Sequence, residues 1–89
     1  MQEIDKLRAE MDQIHIELGL LLQKRLELTL KIWRIKKAEH LPLVDMNREE
    51  FILQNIKNSV TDSDQQIFLT QVFKNILVET KKYLEAKLK

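Results

Sequence analysis

Two cations interrupt what is otherwise an apolar helix face, and they are the residues whose types and spacing most suggest chemistry. Arg25 and Lys36 are eleven residues apart, close to three helical turns, so their side chains project from one side about 16 Å apart along the axis. With Thr29 and Ile32 between them, they form a two-ended clamp for a small ligand that carries carboxylates, because guanidinium binds carboxylate through paired hydrogen bonds. The alternative is that Arg25 reaches the surface or pairs with a glutamate.

A second group of polar residues follows Pro42. Asp45, Arg48 and Glu49 stand at positions i, i+3 and i+4, so they share the first turn of a helix. A carboxylate beside the free amides of a helix start can hold a ligand hydroxyl, and the structural alternative is an N-cap with a local ion pair. Thr80 is a polar residue on the apolar side of a later helix, where a hydroxyl bonded back to its own helix is the alternative.

Arg8 is a third candidate, on a different face. It precedes Arg25 by seventeen residues, which turns it about 100° away around the helix. In one chain it cannot reach the same pocket, whereas the copy from a crossed second chain could; the alternative is a solvated surface arginine. The sequence shows no nucleophile–base pair, glycine-rich phosphate loop or metal cluster. Any reaction would therefore depend on shape and charge, without a metal or a covalent intermediate.

The elements that position these residues are predicted to be helices. The chain has one Gly and one Pro among 89 residues, with 44% hydrophobic and 33% charged residues. These are too few turn-forming residues for a protein built of strands and tight turns. The patterning predicts a single all-α domain, 1–89, with helices at about 3–38, 46–59 and 64–87. Asp45 is the expected N-cap of the second helix, and Ser63 with Gln66 is the expected capping box of the third.

The first helix is too long for a compact chain of this size. Its apolar seam has helical spacing and consists of Ile4, Leu7, Met11, Ile14, Leu18, Leu21, Leu28, Ile32 and Ile35. Such a helix is roughly 50 Å long, whereas a globule of this length has a radius of gyration near ~12 Å. We therefore expect a second chain to cover the seam in an intertwined two-fold homodimer. The alternative is a helix that bends near Gly19.

Charge and composition disfavour several classes of protein. The net charge is +1, with no Cys and only two His, which favours neither nucleic-acid binding, nor disulfides, nor a zinc site. No apolar run approaches the ~20 residues of a membrane span, and the N-terminus lacks a basic-then-apolar leader. We expect a cytoplasmic protein without nucleic-acid or membrane partners.

The whole set of residues resembles the all-α chorismate mutases, closely over about residues 4–53 and loosely over the third helix. The matching positions are Leu7, Arg8, Asp12, Leu21, Leu22, Arg25, Leu28, Ile32, Lys36, Pro42, Asp45, Arg48 and Glu49. The resemblance implies an intertwined helical dimer with two active sites. It also implies conversion of chorismate to prephenate, a step of the shikimate pathway to aromatic amino acids, by a Claisen rearrangement without cofactors.

The same resemblance implies roles for individual residues. Arg25 and the partner's Arg8 would bind the two substrate carboxylates. Lys36 would contact the ether oxygen and, with Glu49, the substrate hydroxyl. Asp45 would lie at the hydroxyl end of the substrate. Lys36, Arg25 and Glu49 are thus the expected catalytic residues.

The remaining implied positions include a departure from the family pattern. Arg48 would orient the neighbouring glutamate, and Thr80 would lie near a carboxylate. Four residues later, where the family usually carries Gln or Glu as a donor to the ether oxygen, this chain has Leu84. A missing donor of this kind typically costs ~10²–10³ in rate, so efficient activity is not assured. Glu85 would need a register shift to replace it, since helix geometry turns it about 100° away.

Alternatives to mutase activity stay open. Related enzymes act on aminodeoxychorismate or eliminate pyruvate from isochorismate, although the lyase branch often lacks the Asp–Arg–Glu cluster. A non-catalytic helical dimerisation module with a degenerate pocket is a further possibility. Trp33, where a small residue is common in the family, would narrow the pocket or pack at the dimer seam. The sequence leaves open the exact substrate, the pathway, its regulation and association with a larger enzyme.

Overall fold

The fold consists of three α-helices in the computed structural model, which describes residues 2–88. They are α1 (Glu3–Ala38), α2 (Met46–Asn58) and α3 (Ser63–Lys87). Residues 2–88 contain no strand, and none of their helices is apolar enough over a sufficient length to cross a membrane. The predicted all-α class is confirmed, and the predicted helix ends agree with the observed ones to within one residue.

The chain divides into two compact units, Met1–Ile32 and Trp33–Lys89. The first holds most of α1, and the second holds the end of α1 with α2 and α3. In the first unit the predicted apolar seam is exposed to solvent, from 49% of the Leu18 surface to 63% of the Leu21 surface. Helix α1 continues through Gly19, so a helix broken at that residue is not observed.

Gly19 provides a stability prediction. A Cβ atom built at this position meets nothing within 4 Å, and alanine is about 1 kcal/mol more favourable than glycine inside a helix. Gly19→Ala is therefore expected to raise the free energy of unfolding by up to about 1 kcal/mol, measured by urea titration followed by circular dichroism. A loss of stability instead would mean that a second chain approaches the backbone closely at this position.

The end of α1 has the hydrogen bonds of a Schellman motif. The Leu41 amide donates to the Lys36 carbonyl at 2.8 Å, and the His40 amide donates to the Lys37 carbonyl at 3.3 Å. His40 adopts the left-handed conformation that this motif requires, with φ 57°. The chain thus leaves α1 in a defined direction, and Lys36 lies in the last turn of the helix beside the loop that follows.

The start of α3 differs from the prediction by one residue. Asp62, rather than Ser63, is the N-cap, and its carboxylate accepts a hydrogen bond from the Gln65 amide at 2.8 Å. Gln66 donates instead to the Val60 carbonyl at 2.9 Å. Both Asp and Ser are good N-caps, but the carboxylate also interacts favourably with the positive end of the helix dipole.

The second unit is organised around the packing of α2 against α3. Its buried apolar residues are Trp33, Leu77 and Leu84. Half-buried apolar residues around them include Ile52, Ile56, Val60, Leu69, Phe73 and Ile76. Helical periodicity alone predicts that Phe51 faces inward and that Ile67, Val72 and Tyr83 lie on the apolar side of α3, but all four are exposed. The apolar residues of α3 cover more than one face, and only the stripe through Leu77 and Leu84 faces inward.

Candidate active site

Lys36 and Asp45 line one surface groove of about 400 Å³ in the second unit. The groove lies where the loop after α1 meets the start of α2. Lys36 is half-buried, and its ammonium donates to the Leu43 carbonyl at 3.4 Å. Two of the predicted substrate-binding residues therefore share one concave surface, with a cation and a carboxylate as its charged groups.

Asp45 caps α2 as predicted. Its backbone is extended (φ −122°, ψ 102°), and its carboxylate oxygen Oδ1 accepts a hydrogen bond from the Arg48 amide at 3.1 Å. This contact satisfies one of the amides that a helix start leaves without an intrahelical partner. The cap holds the carboxylate at the rim of the groove, where a ligand hydroxyl could reach it.

Glu49 forms an ion pair that the sequence analysis did not predict. The Lys81 ammonium lies 2.9 Å from Oε2 and 3.2 Å from Oε1 of this carboxylate. The pair joins α2 to α3, and the two side chains are only 31% and 20% exposed for Lys81 and Glu49 respectively. The signal was available in principle, since Lys81 interrupts the apolar stripe of α3 between Leu77 and Leu84.

Arg48 makes a different contact. Its guanidinium lies 5.2 Å from the centroid of the Phe51 ring, within the range of a cation–π interaction. Phe51 is 55% exposed, so the contact is at the surface of α2. That Arg48 orients Glu49 stays a prediction, because the described contacts of that carboxylate are with Lys81.

Thr80 and Leu84 lie one turn apart on α3. The Thr80 hydroxyl donates to the Ile76 carbonyl at 2.6 Å, so the bond to its own helix, which the sequence offered as the alternative, is observed; a role for Thr80 near a substrate carboxylate stays a prediction. Leu84 is 0% exposed and Glu85 is exposed. Within the chain the Leu84 side chain thus belongs to the core of the second unit, and a role for it in substrate binding stays a prediction.

The two candidate arginines belong to the first unit. Arg8 is exposed, and Arg25 is half-buried. The Arg25 carbonyl accepts a hydrogen bond from the Thr29 hydroxyl at 2.8 Å. Trp33, in the second unit, is only 6% exposed, so it is already buried in the single chain without a dimer seam. That Arg25 and Lys36 share a pocket, and that the partner's Arg8 completes it, stay predictions.

The chain matches the profile of a known family over residues 7–85. That family is described as chorismate mutase type II. The chain belongs to the chorismate mutase type II family. The match includes every candidate site residue, from Arg8 to Leu84, and the family is all-α. The comparison with curated proteins gave no match.

Membership of the chorismate mutase type II family agrees with the resemblance stated on the sequence. It supports chorismate as the class of substrate. Within residues 2–88 no group of three or more His, Asp or Glu side chains could hold a metal ion. The charged residues of the predicted site that belong to the second unit include Lys36, Asp45, Arg48 and Glu49, and the Glu49 carboxylate is paired with Lys81.

Proposed function

We propose that this chain is a chorismate mutase that converts chorismate to prephenate as a homodimer. The observation that carries the proposal is the family match over residues 7–85. The groove that brings Lys36 and Asp45 together supports it, because chorismate carries carboxylate, ether and hydroxyl oxygens that such groups can bind. Prephenate formation is an intramolecular rearrangement, so the enzyme needs to supply no atom and no electron.

The proposed mechanism is electrostatic clamping. Arg25 and the partner's Arg8 bind the two carboxylates and hold the substrate in a compact conformer, which removes much of the entropic barrier. As the C–O bond breaks, negative charge develops on the ether oxygen, and Lys36 stabilises it there. Because this interaction is stronger in the transition state than in the ground state, it lowers the barrier to the chemical step. Asp45 and Glu49 bind the hydroxyl end.

A second copy of the chain is the proposed cover of the α1 seam. In the first unit Ile4, Leu7, Met11 and Ile14 are each 52–60% exposed, and contiguous apolar surface of this kind typically marks an interface. A two-fold arrangement would bury the same seam on both chains. The proposed pocket is thus complete only in the dimer, because Arg8 comes from the other chain.

The test is direct incubation with chorismate, followed by loss of its enediene absorbance and by detection of prephenate. Turnover that depends on enzyme concentration is expected. Isochorismate and aminodeoxychorismate, assayed in parallel, separate the related activities. A chain that turns over none of them, but whose melting temperature rises with a small dicarboxylate, would be a binding module with a retained pocket, and the proposed mutase function would be wrong.

Leu84→Gln tests whether this position belongs to the pocket or to the core. Because the Leu84 side chain has no exposed surface, a glutamine amide there is expected to lower the free energy of unfolding by about 1–3 kcal/mol, with no gain in kcat. Urea titration and the chorismate assay measure the two effects, and Glu85→Gln at the exposed neighbour is the matched control. Unchanged stability together with a higher kcat would instead place Leu84 in the pocket.

A further inference from the structure

Between Leu77 and Leu84, Lys81 is the one charged residue that the structure describes on the inward-facing stripe of α3. Leu77, one turn before it, and Leu84, one turn after it, are both buried. An apolar side chain at position 81 would continue the stripe and would need no partner. A lysine in such a place loses hydration unless it is paired, so packing alone does not explain the choice of residue.

The pairing of Lys81 differs from that of an ordinary surface lysine. Its next neighbour Lys82 also has an ion pair, with Glu79 at 3.4 Å, but those side chains are 67% and 72% exposed, and exposed pairs contribute little to stability. The Lys81–Glu49 pair joins two helices, is shorter at 2.9 Å, and is 31% and 20% exposed. The adjacent lysines of one helix therefore provide an internal comparison.

The contact restrains the direction of the Glu49 carboxylate. Both of its oxygens lie within hydrogen-bonding distance of the Lys81 ammonium, at 2.9 and 3.2 Å. A carboxylate has about four lone-pair sites on its two oxygens, so one ammonium still leaves it able to accept from a ligand hydroxyl. Because Lys81 already restricts the Glu49 side chain, substrate binding costs less side-chain entropy at this residue.

We propose that Lys81 is a positioning residue, which holds Glu49 in the orientation that receives the substrate hydroxyl. The proposal rests on the proposed function and assigns to Lys81 the orienting role that the family resemblance gave to Arg48, whose guanidinium lies over Phe51 instead. Lys81 acts through Glu49 and does not contact the reacting atoms.

The kinetic test compares Lys81→Met, Lys81→Gln and Lys81→Arg, with Lys82→Met as the control. Loss of the positioning contact is expected to lower kcat about 10- to 100-fold in the Met and Gln variants, with a smaller change in KM. Lys81→Arg, which keeps the charge and the donors, is expected to retain kcat within about threefold. Full kcat in Lys81→Gln, or equal losses in the Arg and Gln variants, would overturn the proposal.

A double-mutant cycle identifies the residue through which Lys81 acts. In a Glu49→Gln background, Lys81→Met is expected to have almost no further effect on kcat, because the group it positions has already been changed. An equal fold-loss in both backgrounds would show that Lys81 acts by another route. Circular dichroism of each variant checks that it is folded. If Lys81→Met is not folded, the same cycle with Lys81→Gln decides whether Lys81 acts through Glu49.

A measurement without substrate separates this proposal from the proposed function. Carbon-13 relaxation of the Glu49 side chain is expected to show greater motion in Lys81→Met than in the unchanged protein, and no change in Lys82→Met. If the unchanged protein does not turn over chorismate, the proposed function fails while relaxation still decides whether Lys81 holds Glu49. Unchanged Glu49 motion in Lys81→Met would overturn the positioning role, whatever the activity.

Discussion

Replacing Lys36 by alanine is expected to lower the kcat for chorismate by at least about 10²–10³-fold, the loss typical of removing one donor from a site of developing negative charge. Lys36 is half-buried in the last turn of α1, and it lines the groove together with Asp45. Its side chain donates only one long hydrogen bond, to Leu43 at 3.4 Å, among the contacts of the described residues. The variant should therefore fold as the unchanged protein does.

The measurement is a steady-state assay of chorismate loss, with circular dichroism and sedimentation to confirm the fold and the oligomeric state. Lys31→Ala is the matched control, because Lys31 is an exposed lysine of the same helix; its kcat is expected to stay unchanged. Near-normal activity in Lys36→Ala would rule out the electrostatic mechanism proposed above, because no other described residue that lines the groove is a cation that could replace Lys36.

The second large effect concerns the two arginines of the proposed shared pocket. Arg8→Ala and Arg25→Ala are each expected to be nearly inactive, because each removes one carboxylate contact from both sites of a homodimer. Mixing the two variants should restore activity, since a heterodimer contains one site with an intact Arg25 and an intact Arg8 from the other chain. With random exchange of subunits, about half of the dimers are heterodimers, and each of these has one intact site out of two. Roughly a quarter of the activity of the unsubstituted protein is therefore expected.

A double variant carrying both substitutions is the control for the mixing experiment. Mixed with Arg8→Ala chains, it cannot form an intact site and should recover nothing. Native mass spectrometry confirms the exchange of subunits and the dimer, at twice the chain mass of 10.7 kDa. Confirmed exchange without recovery would argue against a pocket shared between chains, and a monomeric chain would rule out the dimer itself.

The features that the sequence predicted correctly depend on neighbouring residues. The apolar periodicity, Pro42 and the cap at Asp45 predicted three helices with ends within one residue of those observed, because helix propensity and capping act over a few residues. The bond of Thr80 to its own helix, which the sequence offered as the alternative to a binding role, is equally local. Where two adjacent residues suit the same role, as Asp62 and Ser63 do at the start of α3, local rules left the choice one residue off.

Only the tertiary structure decided which faces of the helices turn inward and which charges meet. Trp33 is buried within the chain, while Phe51 and Ile67 are exposed. Lys81 is paired with Glu49 across thirty-two residues of chain. Helical spacing places residues on a face, but the rotation of α2 against α3 sets which face is covered. That rotation is the result of all the side chains packed together, so no local stretch of the sequence contains it.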